Sequence, residues 1–190
     1  MAKGSVISCC LLSLFFFLST HHLHADDGYC VRVTAAAYVG VKEKGGNNKG
    51  FTDAEFRELM IASGWKIGYA WCAFFVKAML DECGIPNTIT GWSPTAYNRN
   101  DVVYDGGKFV KSFKDSDVLI MTLAYGSLKD RYKNIGHTGI IDKVGKYSVR
   151  TIEGNTNDQG MRDSRSRDGV YYKIRPLGKN IHITRWKKGN

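Results

Sequence analysis

Cys72, His137 and Glu153 are residue types that can share one reaction, and each stands in a setting that suits a different role. Cys72 lies in Gly68-Tyr69-Ala70-Trp71-Cys72-Ala73-Phe74-Phe75-Val76-Lys77-Ala78-Met79-Leu80. There Val76, Met79, Leu80 and Cys83 recur at i, i+3, i+4 and i+7, one face of a helix. Gly84-Ile85-Pro86 supplies the stop. A cysteine in the first turn meets free backbone N–H groups and the positive end of the helix dipole, which favour the thiolate that a nucleophile needs. On this helix alone the plain alternative, a small buried hydrophobe among Trp and Phe, is as good.

The base must come from few candidates. Residues 1–25 are expected to leave as a secretory signal, taking His21, His22 and His24, so only His137 and His182 remain. His137 sits in Asn134-Ile135-Gly136-His137-Thr138-Gly139-Ile140-Ile141-Asp142, at the mouth of a strand, with glycines that allow close approach of other groups. His182, in Ile181-His182-Ile183-Thr184, alternates away from the Ile181/Ile183 face and reads as a solvated strand residue.

Two strand-like runs, Thr138 to Val144 and Tyr147 to Glu153, flank Gly145-Lys146 and predict a hairpin. Paired residue numbers should then sum to about 291, bringing Glu153 and Asn155 beside His137. A carboxylate or amide there fixes the imidazole tautomer and stabilises the imidazolium.

The elements that must position these residues fit in one domain. The chain has 190 residues, enough for one core and too few for two comfortable ones. Lys3, the uncharged run Val6 to Leu18 and a small residue at Ala25 make up the signal. That run is too short to span a bilayer, so no stable membrane anchor is expected. Without Lys3, 26 Lys and Arg face 18 Asp and Glu, a net +8. Such a surface suits an anionic partner. For an exported protein an acidic envelope polymer is the better expectation, and nucleic acid is not expected.

Three cysteines stay in the mature chain, Cys30, Cys72 and Cys83. Cys30 falls at the start of the first helix and Cys83 at the end of the Cys72 helix. Antiparallel packing would bring their Cα atoms to about 5.5–6 Å, disulfide reach. They are expected to be bonded or simply buried, with Cys72 free.

Tyr29 to Val41 has a helical pattern with Cys30, Val33, Ala37 and Val41 on one face. The Gly- and Asn-rich Lys42 to Gly50 reads as a loop, a plain connection or a pocket rim. Thr52-Asp53-Ala54-Glu55 forms a capping box with Thr52 as N-cap, and Phe51 and Phe56 form a hydrophobic staple. Ser93-Pro94 opens a short helix. Strands are expected only after Gly107: Val118 to Leu123 centrally, the hairpin, Gly169 to Pro176 and Ile181 to Arg185. Helices first and an antiparallel sheet afterwards make an α+β domain over residues 26–190.

The ordered set Trp71-Cys72-Ala73-Phe74-Phe75-Val76, Gly136-His137-Thr138-Gly139-Ile140-Ile141 and Thr151-Ile152-Glu153-Gly154-Asn155-Thr156-Asn157 resembles the CHAP domains. These are cysteine, histidine-dependent amidohydrolases/peptidases with a compact papain-like fold that hydrolyse bacterial cell wall. The tail from Gly169-Val170-Tyr171 to Arg175-Pro176-Leu177 is also similar, so the resemblance spans roughly Tyr29 to Arg185. It implies Cys72 as nucleophile, His137 as general base, Glu153 as orienter and Asn155 as a polar partner of the site. Two departures stand out: Ala70 precedes Trp71-Cys72 where many members have proline, and no wall-binding module is visible. The implied activity is cleavage of a peptidoglycan amide, as an N-acetylmuramoyl-L-alanine amidase or a stem-peptide or cross-bridge endopeptidase. An immunity or inhibitor protein is a conceivable partner of such an enzyme. The rival is a catalytically silent envelope-binding protein on the same fold. No cofactor is expected: Asp115, Asp117, Asp158 and Asp163 could offer oxygens to calcium but form no calcium-loop pattern.

Overall fold

The computed structural model describes residues 26–125, 134–157 and 168–188. The expected signal, residues 1–25, lies outside these, as do Asp158 and Asp163. The described chain is α+β. Its helices α1 (Asp27–Ala37), α2 (Ala54–Ala62) and α3 (Cys72–Glu82), and the 3-10 turn Ser93–Ala96, precede all the strands. The strands are β1 (Val102–Asp105), β2 (Lys108–Phe109), β3 (Val118–Ala124), β4 (Ile135–Val144), β5 (Ser148–Thr156), β6 (Gly169–Pro176) and β7 (Ile181–Trp186). They form one antiparallel sheet in the order β2-β1-β7-β3-β4-β5-β6.

β3 is buried along its whole length because both faces of the sheet are covered, which is why it reads as an unbroken apolar run. Val118 and Ile120, with Ile140 and Ile152, meet Phe56, Trp71, Phe75 and Leu80 of the helical layer. Leu119 and Met121 join Ile141, Val149 and Ile183 in a second cluster on the other side.

The Cys30–Cys83 disulfide is formed, with Cα atoms 6.0 Å apart, and joins the first turn of α1 to the end of α3. A cross-link between residues 53 apart lowers the entropy of the unfolded chain enough to stabilise by about 4 kcal/mol.

Several local expectations are corrected. The inward face of α1 is Gly28, Val31 and Ala35, whereas Val33 is 49% exposed. Gly28 decides this, because a Cβ there would come within 2.6 Å of the Ser116 and Asp117 carbonyls. The N-cap of α2 is Asp53, whose Oδ1 accepts from Phe56 N at 2.7 Å. Thr52 instead accepts from Lys42 N, while Phe51 and Phe56 still meet edge to face. A strand also precedes Gly107: β1, four residues long, turns through Gly106 and Gly107 onto the two residues of β2 and had no legible signal.

His182 is fully buried, not solvated. β7 lies inside the sheet between β1 and β3, and the Tyr97 ring packs edge-on against the imidazole.

Candidate active site

The β4–β5 hairpin sets the position of the imidazole relative to the carboxylate. Val144 pairs with Val149 across the turn Gly145 to Ser148, and a bulge at Asp142 shifts the register before Ile141 meets Thr151 and Ile140 meets Ile152. Carried on, this register sets Gly139 opposite Glu153. It therefore differs by one residue from the expected pairing, and that residue matters: a one-residue slip would send Glu153 to the opposite face from His137. Gly139 leaves the space the carboxylate crosses, since a Cβ there would sit 2.6 Å from Glu153 Cγ. His137 Nε2 and Glu153 Oε2 are 2.7 Å apart, with both side chains almost wholly buried.

Glu153 is held by more than the histidine. Arg175 donates from Nε to Oε1 at 2.8 Å and from its NH2 group to Oε2 at 2.5 Å, and the Thr151 hydroxyl donates to Oε1 at 2.5 Å. Burial alone would raise the carboxyl, but Arg175 and His137 outweigh it and hold Glu153 down to about 2. A forked guanidinium on one side and an imidazole on the other fix both oxygens.

Cys72 opens α3 on the other side of His137. It is the free cysteine among the described residues and is buried. Its Sγ lies 3.3 Å from Ser93 Oγ, and His137 and the Thr138 backbone are close enough to act on the thiol. With Nε2 turned to Glu153, Nδ1 is the ring nitrogen left for the thiol. Desolvation pushes the Cys72 thiol up, but His137, Ser93 and Thr138 reverse this and the net direction is down. Desolvation likewise lowers His137, and the bonds and charges of Cys72 and Glu153 override it and raise the imidazole to about 10. The opposed shifts describe a thiolate–imidazolium pair titrating together.

Asn155 does something other than face His137. Its φ of 56° turns it out of the strand path, in the left-handed region that Asn tolerates. Its Oδ1 accepts from the Trp71 backbone N–H at 2.6 Å, and its Nδ2 donates to Asp168 at 3.2 Å. Trp71, the N-cap of α3, makes no side-chain cap of its own. Asn155 thus anchors the chain immediately before Cys72. From below, Trp71 Nε1 donates to Glu43 Oε1 at 2.7 Å, so the Lys42 to Gly50 loop is an anchor of this helix start. Gly154 allows the approach, since a Cβ there would meet the Trp71 ring at 2.5 Å.

The structure therefore brings Cys72, His137 and Glu153 into one relay and sets Asn155 beside the relay's helix. The sequence reasoning missed Arg175, Thr151 and Ser93. Alternation put Arg175 on the Tyr171/Lys173 face of its strand, but only the pairing of β6 with β5 shows which carboxylate it meets. Ser93 came forward only as a helix start. Among the described residues no three His, Cys, Asp or Glu side chains converge as metal ligands. Asp117 instead accepts from Lys114 N and pairs with Arg185. No protein-family model, curated protein or solved structure matches this chain.

Proposed function

We propose that the protein is a cysteine amide hydrolase. Within that class its ordered motifs favour a CHAP-type enzyme of papain-like architecture, exported and acting on peptidoglycan. The observation that carries the reading is the buried cluster: Cys72 3.3 Å from Ser93, His137 2.7 Å from Glu153 and Glu153 forked by Arg175, with the thiol brought below its ordinary value and the imidazole raised to about 10. The rival silent binding protein has no use for a thiolate–imidazolium pair.

In the reaction the Cys72 thiolate attacks an amide carbonyl carbon, forming the C–S bond as the carbonyl π electrons move to oxygen. His137 gives its proton to the leaving nitrogen, and the C–N bond breaks to leave a thioester and a free amine. The now neutral His137 takes a proton from water, whose oxygen attacks the thioester carbon; the C–S bond breaks, the Cys72 thiolate and the imidazolium are restored, and the released acid ionises to a carboxylate. Glu153 keeps the ring oriented and offsets its charge whenever it is protonated. The basic surface supports an acidic polymeric substrate, and the free thiol beside an intact disulfide fits an exported cysteine enzyme.

Mass spectrometry of fragments released from purified peptidoglycan tests the proposal. New amine and carboxyl termini should appear with the wild type and be absent with Cys72→Ser. Equal release by both proteins, or none by the wild type, would sink it, and the fragments' termini identify whether the sugar–peptide or a peptide–peptide amide is cut.

A further inference from the structure

We infer that Ser93 is a catalytic residue of this site, the hydroxyl donor that completes the oxyanion hole; this rests on the reading of Cys72 as nucleophile. Ser93 is remote in sequence yet its Oγ lies 3.3 Å from Cys72 Sγ, in a largely buried position. Its loop is pressed against the nucleophile helix: a Cβ at Gly91 would come within 2.3 Å of the Phe74 ring. The loop is also tied internally, with the Trp92 carbonyl accepting from both the backbone N–H and the hydroxyl of Thr95. The hydroxyl is thus delivered by a fixed backbone.

An oxyanion needs donors about 2.7–3.1 Å from the place the charged oxygen will occupy. That oxygen is bonded to the carbon the sulfur attacks, so it lies on the order of 3 Å from the sulfur. A hydroxyl 3.3 Å from the same sulfur can reach it by rotation about its own C–O bond. The Cys72 backbone N–H, at the first position of α3, has no intrahelical acceptor and supplies the other donor. The preceding N–H, of Trp71, is already taken by Asn155 and is excluded from that role. In the resting enzyme Ser93 points to the thiolate. As the C–S bond forms and negative charge moves from sulfur to oxygen, the hydroxyl follows the charge. The thiolate does not rest on Ser93 alone, because His137 and the Thr138 backbone also lower the thiol.

Two measurements on one set of variants separate the possibilities. Alkylation of Cys72 by iodoacetamide across pH reports the thiolate and needs no substrate. Turnover of purified peptidoglycan reports the oxyanion. Ser93→Ala should lower kcat about 10²–10³-fold while KM stays within about threefold. Its alkylation profile should move upward only slightly, because Ser93 is one of three groups that lower the thiol, and Ser93→Thr should recover most of the turnover. Urea unfolding checks that each variant is folded. A Ser93→Ala enzyme within about threefold of wild-type kcat overturns the inference. So does an alkylation profile displaced upward enough to account for the whole loss, which would make Ser93 a thiolate partner only. A wild type whose Cys72 alkylates slowly at neutral pH, or that cuts no amide, defeats the nucleophile reading itself and the inference with it.

Discussion

Among the described residues two histidines are buried, each against a carboxylate: His137 with Glu153 at 2.7 Å and His182 with Asp105 at 2.6 Å. By that distance they are the same object, and their surroundings make them different ones. His182 lies within β7, flanked by strands on both sides, with its ring against Tyr97. His137 lies near the outer end of β4, with a thiol on one nitrogen and a carboxylate already charged by Arg175 on the other. Cys30 and Cys83 are bonded to each other, so among the described residues only His137 has a thiol to activate. A histidine–carboxylate pair is thus a common way to satisfy a buried ring. A third reactive group and a rigidly charged partner turn such a pair into chemistry.

The comparison breaks most directly by deleting each ring. His137→Ala, like Cys72→Ser, should reduce turnover by at least about 10³-fold. His182→Ala should keep kcat near wild type and lose about 1–3 kcal/mol of stability, read by urea unfolding, because Asp105 loses its partner. The reverse pattern would exchange the roles of the two regions.

Next come the carboxylates. Glu153→Gln should cost about 10²–10³-fold in kcat, since an amide orients the ring but leaves the imidazolium uncompensated and Arg175 without its acid partner. Asp105→Asn should leave kcat nearly unchanged. Equal losses from the two would show that neither carboxylate is special.

The pH response sharpens the same contrast. His137, ordinarily at 6.5 and here about 10, contributes stability that is full below 6.5 and declines as pH rises through about 10. Glu153, ordinarily at 4.5 and here about 2, contributes stability that is present above 4.5 and lost as pH falls toward 2. The high-pH limb of kcat/KM should therefore lie near 10 and move downward in Glu153→Gln. A wild-type limb near 7 would contradict the relay.

Smallest are the positioning changes. Gly139→Ala places a methyl where the Glu153 side chain crosses, and Asn155→Ala frees the Trp71 N–H. Each should cost about tenfold in kcat with His182 undisturbed, the order expected for misplaced catalytic geometry. A loss from Asn155→Ala exceeding that of Glu153→Gln would make the amide the principal orienter.

Much of this was legible from the chain alone, for identifiable reasons. Val76, Met79 and Leu80 repeat with a helical period, β3 follows from its unbroken apolar run, and β4 to β7 from strand-like runs set off by turn residues, because these patterns are local. Cys72, His137 and Glu153 could be singled out by type and order. What escaped depends on contacts between distant segments. The bulge at Asp142 moved the hairpin register by one, β1 buried His182, and the positive φ of Asn155 redirected its amide to Trp71. Arg175 and Ser93 reach the relay only through strand order and loop packing.

The Cys30–Cys83 bond also changes what a single backbone cut can do. It closes residues 30 to 83 into a covalent ring, and Cys72 with all of α3 lies inside it. A single peptide cut anywhere within that ring, for instance in the glycine-rich segment Gly45 to Gly50, opens a backbone bond without dividing the molecule. Cys72 remains linked to α1 through the disulfide, and the two pieces part only on reduction.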